Sequence, residues 1–157
     1  MKKLLSLQQN SNTLDIVLLI TRVAIAALML THGIPKMIML FSGEPVKFIS
    51  IMGMSAKLSL GLAVFAEVFC SVLLLLGLAT RFATIPLMIT MLVAVFFIQA
   101  GAPFAEKELA VHYLLAYTVL LIAGSGKYSV DYLLQRKRSA AKSISITGED
   151  PTLSFYK

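Results

Sequence analysis

The chain has 157 residues, of which 58% are hydrophobic and 14% charged, with a mean hydropathy of +0.85. Soluble domains hold about 45–50% apolar and about 25% charged residues, so a water-soluble globule is excluded. The net charge is +6, and nine of the fourteen Lys/Arg collect at Lys2 and Lys3, at Arg81 and from Lys127 onward. That asymmetry marks a membrane topology and excludes a nucleic-acid surface.

Along the chain, residues 1–13 read as a loose polar segment. The first apolar stretch begins near Ile16, is too long for the core of a signal peptide and is not followed by an Ala-x-Ala site. The first span is expected from about Leu14 to Leu40, with Thr13 or Asp15 placed to cap it and Pro35 placed to end or kink it. Residues 41–56 hold two glycines and a proline among Phe, Ile and Met, and read as a loop on the membrane surface. The second span covers about Ala56 to Leu78, where Gly61, Ala63, Ala66, Ser71 and Gly77 allow close packing. Only Ala79, Thr80 and Arg81 follow before the third span, Phe82 to Ala100, so these two spans are antiparallel neighbours. A fourth span runs from about Leu109 to Ala123, and GSGK ends it. YSVDYLLQRKR reads as a short amphipathic helix with Tyr128 and Tyr132 at the headgroup level, followed by a flexible tail to Lys157.

The expected fold is all-α: a four-helix transmembrane bundle with short loops and a cytoplasmic amphipathic C-terminal segment. It divides into residues 1–13, a membrane domain over 14–132 and a basic, then flexible tail over 133–157. The positive-inside rule places both termini and the Arg81 turn in the cytoplasm and the 41–56 and 101–108 loops outside.

Ionisable side chains in a span cost roughly 2.5–3.5 kcal/mol each on insertion scales. The chain keeps Arg22, His32 and Lys36 in the first span, Glu67 in the second, and Glu108 and His112 at the head of the fourth. Arg22, Met29, Gly33 and Lys36 recur on one helical face. Counted at about 1.5 Å per residue from the expected inner ends, Arg22 and Glu67 lie within about a turn of the same depth. An intramembrane Arg22–Glu67 pair is therefore expected, either as a structural pin or as a proton or carboxylate site. Glu108 and His112 share a face, as do His32 and Lys36. If the first and fourth helices touch, these four form an outer polar cluster suited to a quinone headgroup or a small anion, with His and Lys as donors. The plain structural reading is a Lys36–Glu108 interfacial ion pair. His32, His112 and Glu108 have the ligand types of a zinc or iron site, but two histidines on separate helices are weak grounds and no metal is assigned. The single cysteine, Cys70, allows neither an intrachain disulfide nor a Cys-x-x-Cys pair.

Arg22, THGIPK (31–36), AEVFCSVLLLLGLATR (66–81), KELAVHYLLAY (107–117) and GSGKYSVD (124–131) stand in an order and spacing that resemble the DoxX family of bacterial membrane proteins, over about residues 15–132. The resemblance implies a four-helix bundle in the bacterial inner membrane. It marks Arg22, His32, Gly33, Lys36, Glu67, Gly77, Arg81, Glu108 and Gly126 as positions of the family pattern. One relative is a subunit of a thiosulfate:quinone oxidoreductase, and another joins an oxidoreductase complex tied to thiol and oxidative-stress handling. This implies an accessory or quinone-facing subunit of a membrane oxidoreductase system. The alternatives are a non-catalytic scaffold or binding subunit and, third, a small-solute or proton pathway in an oligomer. The chain has no catalytic or cofactor-binding motif, so quinone is the ligand considered and redox centres would belong to a partner. The expected partners are the lipid bilayer and a second membrane protein or further copies of the chain; nucleic acid is not among them.

Overall fold

A computed structural model describes residues 11–51 and 53–147. Of the loose N-terminal segment expected over residues 1–13, residues 1–10 lie outside the described residues and 11–13 open the first helix; of the flexible tail, residues 148–157 lie outside them. Those described are all-helical and contain no strand. Helix α1 spans Ser11–Phe41, α2 Ala56–Leu76, α3 Thr80–Ile98, α4 Phe104–Ala123 and α5 Val130–Thr147. Three of them, α1 to α3, are long and apolar enough to cross a membrane. Helix α4 has the length, but it opens on Glu106, Lys107 and Glu108 and keeps about 22 Å of helix without Asp, Glu, Lys or Arg beyond them.

The two intrahelical prolines do not end their helices. Pro35 lies six residues before the end of α1, and Pro86 lies in the middle of α3. In a span, leaving the helix would strand a whole turn of polar backbone in hydrocarbon, which costs more than the single lost N–H. Both α2 and α3 contain a π-helical segment, Phe65–Cys70 and Ala94–Ile98. Ser55 caps α2 by accepting from the Leu58 N–H at 3.3 Å. At the other end Gly77 takes φ 66°, ψ 38°, and the N–H groups of Gly77 and Leu78 return to the carbonyls of Leu74 and Leu73. This left-handed cap turns the chain so sharply that α3 begins three residues later. The amphipathic segment is longer than expected: α5 continues through Ser139 to Thr147. Its run of Gln, Lys, Arg and Ala favours helix.

Neighbouring helices form a ring in which α2 touches α1 and α3, and α4 touches α3 and α1. Met29, Cys70, Leu74, Leu87, Tyr117 and Leu120 fill its centre. Large apolar residues such as Ile20, Phe82 and Ile122 are more than 60% exposed on the outside, the pattern of a protein whose solvent is lipid. One end of the ring carries the 42–55 and 99–103 connections, and the other carries the Gly77 turn and the 124–129 loop.

Glycine sets the register of α1 on α2. A Cβ at Gly33 would lie 2.8 Å from Val68 Cγ2 and 3.0 Å from the Glu67 carbonyl carbon. At the opposite end a Cβ at Gly77 would lie 2.5 Å from Arg22 Nη1. Residue 33 is thus level with 67, and 22 with 77. Leucine at Gly33 is expected to lower stability by about 1–3 kcal/mol through overpacking, measured as a lower unfolding temperature in detergent. Leucine at Gly61, whose Cβ would meet nothing within 4 Å, should change it by less than about 0.5 kcal/mol. Equal losses at both positions would remove the seam as the register device.

Candidate functional site

The register separates the two residues expected to pair. Glu67 stands ten residues, or about 15 Å of rise, from the Gly77 level where Arg22 lies. The Arg22–Glu67 pair is therefore not formed. The depth count took the Asp15 and Gly77 ends as level, whereas the glycine contacts set Arg22, not Asp15, opposite Gly77. Each charge has its partners elsewhere.

Arg22, 1% exposed, closes the Gly77 end. Its Nη1 donates to the Ser125 carbonyl at 2.6 Å and its Nη2 to the Tyr128 carbonyl at 2.7 Å. The planar fork of a guanidinium reaches two such acceptors at once, which an ammonium does not. Around it the 124–131 segment ties four helices together. Asp131 accepts from the Ala79 N–H at 2.7 Å and the Thr80 N–H at 3.1 Å, which caps α3 from a distant part of the chain, while its own N–H donates to the Gly77 carbonyl. Arg81 donates to the Ile122 carbonyl at 3.1 Å. Asp15, expected as a helix cap, lies inside α1; it accepts from the Lys127 N–H at 3.0 Å and pairs with Lys127 Nζ at 3.1 Å. This end is a structural clasp: its hydrogen bonds join α1, α3 and the 124–131 segment, while Arg22 Nε and Thr80 Oγ1 stay buried without a partner.

The other end is different. Lys36 Nζ donates to Glu67 Oε1 at 2.5 Å. Glu67 is 2% exposed, and its second oxygen, Oε2, is buried with no hydrogen-bond partner. Beside the pair is a cavity of about 230 Å³ between α1, α2, α3 and α4, with Phe48 and Ile51 of the 42–55 loop in its wall. Its surface is largely apolar, from residues such as Met29, Met91 and Leu109, with His32, Lys36, Glu67, Gln99, Glu106 and Tyr113 as the main polar members. The His32 ring meets Tyr113 edge-on, with centroids 6.0 Å apart and planes at 87°. Both π-helical segments contribute: Glu67 belongs to one, Ala94 and Ile98 to the other. A π turn inserts an extra residue and re-aims the side chains around it, which is why such turns gather at working sites.

Of the outer cluster expected from sequence, the cavity takes His32 and Lys36 but neither Glu108 nor His112. Those two are exposed, and His112 Nδ1 lies 2.8 Å from the Glu108 carbonyl of its own helix. Lys36 is paired with Glu67, so the Lys36–Glu108 pair is not formed. The face of α4 turned to the cavity and core is Glu106, Ala110, Tyr113 and Tyr117, offset by two residues from the one expected. The spacing of four, three and four, ending in two tyrosines, was the available signal. Among the described residues no three His, Cys, Asp or Glu are grouped to hold a metal ion.

A buried carboxylate left without its cation is costly. Lys36→Met is expected to destabilise the protein by about 1–3 kcal/mol, since Lys36 is itself about a third exposed. Adding Glu67→Gln should restore most of that loss, because the remaining amide carries no charge to strand. Losses that simply add in the double variant, read from unfolding in detergent, would show that the two residues are not coupled.

The family model for DoxX matches residues 17–100. No curated protein and no solved structure is matched. The matched stretch contains the glycine seam, Arg22, His32, the Lys36–Glu67 pair and the Gly77 turn, while Glu106, Tyr113 and the 124–131 clasp lie beyond it. With more than half of its length in that match, the chain belongs to the DoxX family of membrane proteins.

Proposed function

We propose that this chain is the quinone-facing subunit of a membrane oxidoreductase system, with the Lys36–Glu67 cavity as its headgroup site. The observation that carries this reading is a small, mostly apolar cavity whose wall keeps a buried carboxylate with one oxygen unpartnered. A hydroquinone hydroxyl would donate to Glu67 Oε2, and Lys36 and His32 would donate to the oxygens of the oxidised ring. The volume, below the roughly 300–1,000 Å³ of drug-sized pockets, suits a ring and not a larger soluble substrate. The chain's own residues would bind and orient the ring and hold a proton at Glu67; electrons would come from centres in a partner protein.

In this reading α4 is a fourth span, since it completes the ring of helices and its first-turn charges sit at a helix end, where they reach the interface. Both termini then face the cytoplasm of a bacterial inner membrane, with Arg81, Lys127, Arg136, Lys137 and Arg138 together on that side.

The test is binding of a short-tailed hydroquinone to the purified protein in lipid nanodiscs. Glu67→Gln and Lys36→Met should each weaken it at least tenfold, about 1.4 kcal/mol. Glu108→Gln and His112→Ala, off the cavity, should bind as wild type. Absence of binding to wild type would sink the proposal.

A scaffold role has separate support. Helix α5 leaves the ring with Leu133 and Leu134 exposed beside Arg136, Lys137 and Arg138. Deleting residues 136–157 keeps the Asp131 cap. If that deletion releases a co-purifying membrane protein while hydroquinone binding persists, α5 is the docking element.

A further inference from the structure

The cavity adjoins a second space. Between α2 and α3 is an apolar groove of about 340 Å³. Leu62 and Phe65 of α2 and Ile89 of α3, all in its lining, are 51%, 50% and 55% exposed on the outside of the protein. Ile51, Ala63, Thr90 and Val93 line both the groove and the cavity. The two spaces therefore share a wall, and two of its four members are no larger than threonine. Pro86, also in the groove, leaves it one backbone N–H poorer.

The two hydroxyls in the groove are already engaged. Thr90 donates to the Pro86 carbonyl at 2.9 Å, and Ser59 accepts from the Ile51 N–H at 3.2 Å. The groove thus has little to offer a polar ligand, whereas the cavity beside it has Glu67 in its wall, a carboxylate with one oxygen buried and unpartnered. One space suits hydrocarbon and the other suits a hydrogen-bonding ring. Their adjacency is the layout for one molecule with both parts.

We propose that the α2–α3 groove seats the hydrocarbon tail of a quinone whose ring occupies the Lys36–Glu67 cavity, and that the ligand enters sideways from the bilayer between these helices. The inference rests on the quinone reading above and adds the ligand's class, a long-tailed membrane quinone, and its route. A sideways route keeps the tail in an apolar medium throughout. Passage by the loop end would expose each CH₂ of it to water on the way. The distortion it needs is local: both helices carry π-helical segments, Phe65–Cys70 and Ala94–Ile98, beside the shared wall.

Two probes test this in nanodiscs: a tail-less methylnaphthoquinone, and the same ring with a decyl tail carrying a photoreactive diazirine. On wild type both should bind, and the tail should label residues 62–66 or 86–93. Leu62→Trp and Ile89→Trp fill the groove from outward-facing positions. Each should weaken the tailed probe at least tenfold and leave the tail-less one within twofold, with an unchanged unfolding temperature. Wild-type affinity for the tailed probe in both variants, or label on α1, α4 or α5, overturns the groove while leaving the ring site standing if the tail-less probe binds. Should either variant fail to fold, the position of the label on wild type decides alone. If neither probe binds wild type, the quinone reading falls and the seat for its tail falls with it.

Discussion

Gly33 against Val68 and Gly77 against Arg22 hold α1 and α2 at one height, and every buried charge takes its partner from that height. In lipid the driving force between helices is close packing and the satisfaction of polar groups, because apolar side chains gain nothing by leaving hydrocarbon for protein. A helix contact without a side chain gains most from close approach, and at Gly33 the neighbours Val68 and Glu67 leave no room for a Cβ. Lys36 then meets Glu67, and Arg22 meets the loop that follows α4. A different register would leave at least two of these charges buried alone, at several kcal/mol each.

The two ends of the ring differ in how many hydrogen bonds cross between their helices and loops. At the Gly77 end, long-range hydrogen bonds join α1, α3 and the 124–131 loop, with Asp131 capping a helix 51 residues earlier in the chain, although Arg22 Nε and Thr80 Oγ1 stay buried without a partner. Such contacts join helix ends that would otherwise expose free N–H and carbonyl groups. At the 42–55 end such long-range bonds are fewer, and the cavity lies among them. Glu67 uses one oxygen on Lys36 and keeps the other buried without a partner. An unmatched carboxylate in an apolar wall is expensive to keep, and a site that binds a hydrogen-bonding ligand is one setting in which that cost is recovered on binding.

A lipid-soluble ligand fits the same division. The clasped end holds the helices together, which leaves the far halves of α2 and α3, where their helical geometry widens into π turns, free to border a cavity and a groove. Head and tail of one molecule would then be recognised by separate means: hydrogen bonds and charge for the ring, and shape alone for the tail. A scaffold role for α5 is compatible with this arrangement, because α5 departs from the clasped end and shares no lining residue with the cavity.

The hydrophobic runs alone determined much of this protein: a helical membrane chain, the Gly77 turn, the antiparallel second and third spans, and the residues of the family pattern. Period and length suffice there, since each helix satisfies its own backbone. His32, Lys36 and Glu67 were legible as notable because charge in a span is rare. Their partners were not legible. Pairing depends on the vertical offset between helices, and a slip of nearly four turns separates Arg22–Glu67 from Lys36–Glu67. Which side of α4 faces inward was decided by its packing on α3 and α1, which turned Glu106 and Tyr113 toward the cavity and Glu108 and His112 away from it. The roles of Asp15, Lys127 and Asp131 emerged only in three dimensions, because their bonds join segments 50 to more than 100 residues apart and no local pattern encodes a contact of that range.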